Sequence, residues 1–359
     1  MINVFDVTDF GAVGDGATDC TAAIQAALDA AARVEGTVVV PPGKYLTGRL
    51  TMGKRTRLQG YAGWNYRGDG LSTLILNDPG APCLLDITGA FGCTVCGVCM
   101  NGQELGRGVH GIYLHWERYN GGAEEDTPTI EDCRIGHFSG NGVHLDHVWC
   151  FSLRHSMLHR NLGCGLYVDG WDAFVLDNWF SGNHGGGMVG GAVAESITVT
   201  GNRVEWNRVG GFCLKNGRSV NITGNFFDRS FGPGLTLGEG GCFHDCTVNG
   251  NVFRRSGSPD DLPLPSPYHS CHVYLTNARN ITLSANTFEW GRNDRGQGTL
   301  SPAYNLVISR STHLIVQGNA MHQGATGGNI VYDGQGNNVI KENLSQFPEE
   351  ITPFSPLGQ

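Results

Sequence analysis

The feature that most constrains this chain is a recurring asparagine at the end of a short apolar stretch. Ser196-Ile-Thr-Val-Thr-Gly-Asn202, Val220-Asn-Ile-Thr-Gly-Asn225, Cys246-Thr-Val-Asn-Gly-Asn251, Ile281-Thr-Leu-Ser-Ala-Asn286 and Leu314-Ile-Val-Gln-Gly-Asn319 share one pattern. With Asn178 and Asn343 the series runs at intervals of 24, 23, 26, 35, 33 and 24 residues. A strand this short cannot bury two faces alone. Stacked on its copy one period later, at about 4.8 Å, it builds a parallel sheet over an apolar lumen. The expectation is an asparagine ladder, the asparagine sitting at the bend because it tolerates left-handed backbone angles and can bond to its equivalents in neighbouring coils.

A short strand follows each ladder residue, as in Arg203-Val-Glu-Trp206 and Phe226-Phe-Asp-Arg229, then a glycine turn and an alternating strand. Examples of the last are Gly142-Val-His-Leu-Asp146, Gly165-Leu-Tyr-Val-Asp169, Gly211-Phe-Cys-Leu-Lys215 and Gly234-Leu-Thr-Leu-Gly238. Three strands per coil are expected. The 55 glycines, about twice the usual share of roughly 7%, are spread along the chain as turns require. The fold class read from this is all-β, a single-stranded right-handed parallel β-helix with an N-terminal capping α-helix. One domain is expected over 1–359: a cap over 1–45 with an alanine-rich amphipathic helix at about 19–33, capped by Asp19 or Thr21, coils over about 46–345, and a tail over 346–359.

The net charge of −9 argues against nucleic acid or an anionic membrane as partner and mildly against a polyanionic substrate. No apolar run is long enough to span a bilayer, and Met1 to Asp6 lacks the features of a signal peptide, so a cytoplasmic location is expected. The cysteines fall mostly within apolar runs; Cys93, Cys96 and Cys99 read as core packing rather than metal ligands. His110, His115, His137, His144, His147, His155 and His159 lack the close pairing of a zinc site and read as scattered groove and turn residues. No metal and no cofactor is expected.

Val7-Thr-Asp-Phe-Gly-Ala-Val-Gly-Asp-Gly-Ala-Thr-Asp19, the following helix, and Val40-Pro-Pro-Gly-Lys-Tyr45 resemble the opening of the pectate-lyase-like β-helix superfamily, which includes polysaccharide lyases, glycoside hydrolases and phage tailspikes. The Asn-Thr-Asp, Asp-Asp and Gly-His-Gly set of polygalacturonase-like enzymes does not occur as a set, nor does the Asp-Pro-His-Asp of alginate epimerase-like chains, which lowers both readings. Arg254-Arg255 with Asp260-Asp261 only mimics a calcium-dependent lyase. Ser230-Phe-Gly-Pro-Gly-Leu-Thr-Leu-Gly-Glu239 through Val248-Asn-Gly-Asn-Val-Phe253 is similar to a segment of the inulin fructotransferase family. That resemblance implies an acidic role for Glu239 beside the groove, and a homotrimer.

Alternation sorts the side chains. Val143, Leu145, Leu166, Val168, Phe212, Leu214, Leu235 and Leu237 should point inward, and His144, Asp146, Tyr167, Asp169, Cys213, Lys215 and Thr236 outward. Asp146 and Asp169 should be neighbours. Glu205, Asp228, Arg254, Glu289 and His322 form a second column. Glycosidic cleavage needs two carboxyls about 5 to 9.5 Å apart, so Asp228, Glu239 and Glu205 are the expected catalytic residues. Asp146, Asp169, Tyr167, Lys215, Arg254, Trp206 and Tyr274 are the expected substrate-binding residues, with Arg254 balancing Asp228. Residues 116–127, 256–268 and 291–298 read as loops that wall a cleft or serve subunit contacts. The function expected is cleavage of a glycosidic bond in an oligosaccharide, with fructans or difructose anhydrides as the named class. The alternatives are a lyase or epimerase acting on uronates, and a non-catalytic glycan-binding or tailspike-like module.

Overall fold

The computed structural model describes residues 3–119, 124–257, 263–291 and 301–354. Residues 120–123, 258–262 (with Asp260 and Asp261), 292–300 and 355–359, which carry parts of the three expected loops and of the tail, lie outside them. The chain forms two compact units, 1–179 and 180–359.

In the first unit, the helix Thr21–Ala32 buries Ile24, Ala27, Leu28 and Ala31 completely and packs on the strands Val4–Asp6, Thr37–Val39 and Leu50–Thr51. Fully burying side chains the size of Ile24 and Leu28 stabilises by about 1.5–3 kcal/mol each. Asp19 accepts from the Thr21 N–H at 3.0 Å and from its hydroxyl, which holds its carboxyl below the usual range. The cap position itself is Cys20, whose side chain makes no capping bond. The strands Cys83–Asp86, His110–His115, Val143–Arg154 and Cys164–Leu176 then pair in parallel, each with the next. Val143, Leu145, Leu166 and Val168 are fully buried, as alternation requires.

The second unit has three strands per coil. Phe212–Leu214, Leu235–Leu237, Cys271–Thr276, Tyr304–Ser309 and Gly328–Tyr332 stack as one row. Gly217–Thr223, Phe243–Asn249, Ala278–Ser284, Ile315–Gln317 and Val339–Lys341 form a second. Arg203–Glu205, Phe226–Asp228, Val252–Arg254 and Thr287–Glu289 form a third. Phe180, Phe212, Phe227, Phe253 and Phe288 fill the lumen as a stack with ring centroids 5.5, 5.1, 4.7 and 5.1 Å apart.

The ladder spans this unit. Side-chain amides run Asn202 to Asn225 (2.9 Å), Asn225 to Asn251 (3.0 Å), Asn251 to Asn286 (3.0 Å), Asn286 to Asn319 (3.0 Å) and Asn319 to Asn343 (2.8 Å). Asn343 donates in turn to Glu350 at 2.8 Å, which ends the series on a carboxylate. One expectation is corrected: the left-handed residue is not the asparagine but its predecessor. Gly201, Gly224, Gly250, Ala285, Gly318 and Glu342 have φ of 72°, 67°, 63°, 55°, 66° and 58°. Glycine dominates there because it takes that backbone without a Cβ clash. The asparagine is thereby turned inward to bond above and below.

Asn251→Ala would take the acceptor from the buried N–H of Asn225, one of the acceptors from its Nδ2, which keeps the Val199 carbonyl, and the side-chain donor from the carbonyl of Ile222. A loss of about 2–4 kcal/mol is expected, read as a lower urea midpoint with an unchanged slope. Asn343→Ala, at the more exposed end, should cost less.

Candidate active site

Residues 110 to 171 bring two columns of outward side chains together. In the first, strand register sets Asp86, Tyr113, His144 and Tyr167 side by side. Tyr113 and His144 stack at 5.3 Å and 13°, His144 and Tyr167 at 4.6 Å and 9°, and His110 lies 4.4 Å from His144. Asn141 donates its backbone N–H to His110 Nδ1 at 2.9 Å and its side-chain amide to His144 Nδ1 at 2.9 Å. Both imidazoles therefore use Nδ1 as an acceptor. Burial pushes the His110 pKa down to about 4, and burial, with His110 and His115 nearby, pushes that of His144 down to about 3. Beyond Asp86, the rings of Tyr113, His144, Tyr167 and His110 form an uncharged aromatic wall at neutral pH.

The second column carries the ionisable groups. His115 pairs in register with Asp146, and Asp146 with Asp169. His115 Nδ1 lies 2.7 Å from Asp146 Oδ2. The register slips between Asp146 and Val148, and the extra residue, His147, has φ of 59°. Such a bulge re-aims a side chain, and here it sets His147 Nδ1 3.1 Å from Asp146 Oδ1, without hydrogen-bond alignment. Tyr119 donates to Asp169 Oδ1 at 2.6 Å, and its ring lies 4.5 Å from His147 and 4.4 Å from Trp171. Burial first, and Asp169 second, hold the Tyr119 phenol protonated well above its ordinary pKa. Arg49, whose side chain is 47% exposed, pairs with Asp86 at the foot of the aromatic wall.

Of the sequence candidates, this geometry brings together Asp146, Asp169 and Tyr167, with Asp169 buried. It adds Tyr119, His115, His147, Tyr113 and Arg49, which alternation alone did not assign to a site. Tyr119 lies in the acidic segment after Trp116, where no periodicity marks it.

The remaining sequence candidates fall in the second unit. Glu205, Asp228, Arg254 and Glu289 do align in register. Asp228, however, is fully buried and clamped by Arg255, whose Nε lies 2.7 Å from Oδ1, and by Arg229, whose Nη1 lies 3.0 Å from Oδ2. The balancing cations are thus Arg255 and Arg229, not Arg254, which lies 3.3 Å from Glu289. Glu205 is buried and takes Arg203 Nε at 2.9 Å. Those carboxylates sit where ion pairs hold the fold rather than where a sugar is protonated. Trp206 lies under the Arg229 guanidinium at 4.7 Å, and Lys215 is exposed at a strand end. Tyr274 is buried among Tyr268, Cys271, Val307 and Val331. Glu239 keeps a half-exposed carboxylate, bonded to His269.

Comparison with known proteins bears on the architecture. Residues 4–67 match a family described as rhamnogalacturonase A/epimerase, pectate lyase-like, and residues 141–289 match one described as right-handed beta helix region. The A-module of mannuronan C-5 epimerase AlgE4 from Azotobacter vinelandii superposes with a TM-score of 0.69 at 20% identity, over 98% of this chain and 100% of that one. The chain has the right-handed parallel β-helix fold. The same fold is shared with DFA-IIIase from Arthrobacter chlorophenolicus A6, at a TM-score of 0.63 and 14% identity over 97% of this β-helix and 96% of that chain. In sequence, the β-helix is 28% identical over 282 residues to mannuronan C5-epimerase AlgE3 and 26% identical over 282 residues to AlgE5, both of Azotobacter vinelandii. Each match covers 70% of this chain, but the chain spans only 14% and 26% of those relatives' lengths. The likeness to epimerases thus survives the missing Asp-Pro-His-Asp tetrapeptide.

The neutral wall has a measurable consequence. His110 and His144 titrate lower folded than unfolded, so between about pH 6.5 and their folded values the unfolded chain binds more protons. Their contribution to stability is complete above about pH 6.5 and drains away as pH falls toward 4 and then 3. The urea midpoint should drop over that window, and less steeply in His144→Phe, which keeps the ring stack without the titrating group.

Proposed function

We propose that the groove of the first unit acts on a uronate-containing polysaccharide, removing the proton at C5, α to the carboxylate, and returning one to the opposite face. The observation that carries this reading is the pair of proton-transfer dyads on neighbouring strands, His115 with Asp146 and Tyr119 with Asp169.

The chemistry follows from the donor roles. The Asp146 carboxylate accepts, so His115 Nδ1 carries the proton and Nε2 of the neutral ring is the base. Tyr119, kept protonated, is the acid, and its proton goes to the carbanion from the other side of the ring. Asp146 and Asp169 are positioning residues. Arg49 is the cation suited to neutralise the sugar carboxylate, which is what lowers the cost of the carbanion. The aromatic wall of Tyr113, His144 and Tyr167 offers its π-faces to the apolar face of a sugar. The likeness to mannuronan C5-epimerases over 70% of the chain supports the same class.

The glycosidic-cleavage reading is weaker on geometry. It needs two available carboxyls, and of Asp228, Glu239 and Glu205 only Glu239 is not buried in an ion pair.

The test is incubation with polymannuronate in D2O, read by NMR. Deuterium entering at C5 without chain cleavage is the expected result; an unsaturated, ultraviolet-absorbing product would convert the reading to a lyase, and no exchange on any uronate polymer would end it. Tyr119→Phe and His115→Gln should each slow exchange by about 10²–10⁴-fold. Arg49→Gln should lower kcat as well as raise KM, because the cation answers the charge that grows on the sugar carboxylate as the carbanion forms. Inulin and difructose anhydrides in parallel provide the contrast: their turnover would favour glycosidic cleavage.

A further inference from the structure

Outside that groove, the second unit holds a chain of three side chains that neither the fold nor the uronate chemistry uses. Glu239 follows the strand Leu235–Leu237, and Ser266 and His269 flank the single turn Pro267–His269 that leads into Cys271–Thr276. His269 Nε2 lies 2.7 Å from Glu239 Oε1, and His269 Nδ1 lies 2.9 Å from Ser266 Oγ.

The order of atoms dictates the protons. An ionised carboxylate only accepts, so His269 must donate from Nε2. The neutral ring then has its lone pair on Nδ1, and the Ser266 hydroxyl donates to it. A serine before a helical turn ordinarily turns its oxygen to that turn's N–H groups; Ser266 makes no such bond. Its hydroxyl is committed to the imidazole instead. His269 is nearly buried and held by the Tyr274 ring at 4.8 Å, while Ser266 is partly exposed and Glu239 has a half-exposed side chain. The base is fixed and the hydroxyl is reachable.

We propose that Ser266, His269 and Glu239 form a second catalytic centre, a serine-nucleophile esterase that hydrolyses a carboxylic ester with a short acyl group. The two ring nitrogens exchange the duties they have in the familiar serine–histidine–aspartate arrangement, which is defined by roles rather than position. Ser266 Oγ attacks the ester carbonyl carbon as its proton passes to His269 Nδ1. The tetrahedral adduct collapses, the ester C–O bond breaks, and the alcohol leaves with the proton from His269. Water then enters by the same path: it gives a proton to His269, attacks the acyl-serine, and releases the carboxylic acid while Ser266 regains its proton. Glu239 holds the productive tautomer throughout. This centre is independent of the uronate reading.

The test uses the full chain with a fluorophosphonate probe and p-nitrophenyl acetate. Labelling should map to the peptide containing Ser266 and vanish in Ser266→Ala. Ester hydrolysis should fall about 10²-fold or more in Ser266→Ala and in His269→Gln, with Glu239→Gln also impaired because it no longer enforces the tautomer. No adduct at Ser266 in the native protein, or hydrolysis by Ser266→Ala at the unaltered rate, would overturn the proposal. Should His269→Gln fail to fold, Ser266→Ala decides, since it removes one partly exposed hydroxyl and should leave the circular dichroism and urea midpoint unchanged.

Discussion

The inter-coil amide ladder is the interaction on which the second unit depends. Each of its short strands buries too little apolar surface to stand alone, so a coil is stable only against its neighbours. The asparagines make that dependence specific. An amide donates and accepts, and one residue per coil can therefore bond the coil before and the coil after while its Nδ2 also reaches a backbone carbonyl. A register slip between two coils would break the rung that joins them. The left-handed residue before each asparagine is the local device that aims the amide inward.

Once register is fixed, outward positions become columns, and columns become chemistry. Asp146 and Asp169 are neighbours only because their strands pair without offset at that point. The bulge one residue later shows the opposite use of register: breaking it at His147 brings an imidazole to the same carboxylate. A flat ladder would have sent residue 147 to the lumen side.

Charge placement separates two register-aligned pairs of acidic residues. Asp228 and Glu205 lie in register like Asp146 and Asp169. Arginines answer the first pair within the protein, whereas imidazole and phenol groups answer the second. A buried carboxylate clamped by guanidinium groups is a fixed charge, costly to break and poor at exchanging protons. A carboxylate holding a histidine or tyrosine sets a proton in place.

Much of this was legible in the chain. Periodic asparagines and glycine-led alternating strands determined the coil, the number of strands per coil in the second unit, the inward apolar residues of those strands, and the alignment of Glu205, Asp228, Arg254 and Glu289, because spacing along a parallel stack maps directly onto neighbourhood in space. They did not determine the burial of Asp169, Thr236, Asp228 and Glu205. The helix was legible for its own reason, alanine content and an apolar stripe. What only the tertiary structure decided was which outward side chains meet and what answers them. Tyr119 reaches Asp169 across 50 residues of sequence, Arg255 rather than Arg254 turns back to Asp228, and Ser266 and His269 arrive beside Glu239 from the far end of an insertion. None of these carries a period, since each depends on where an irregular segment or a rotamer carries a side chain, and sequence spacing holds no information about that.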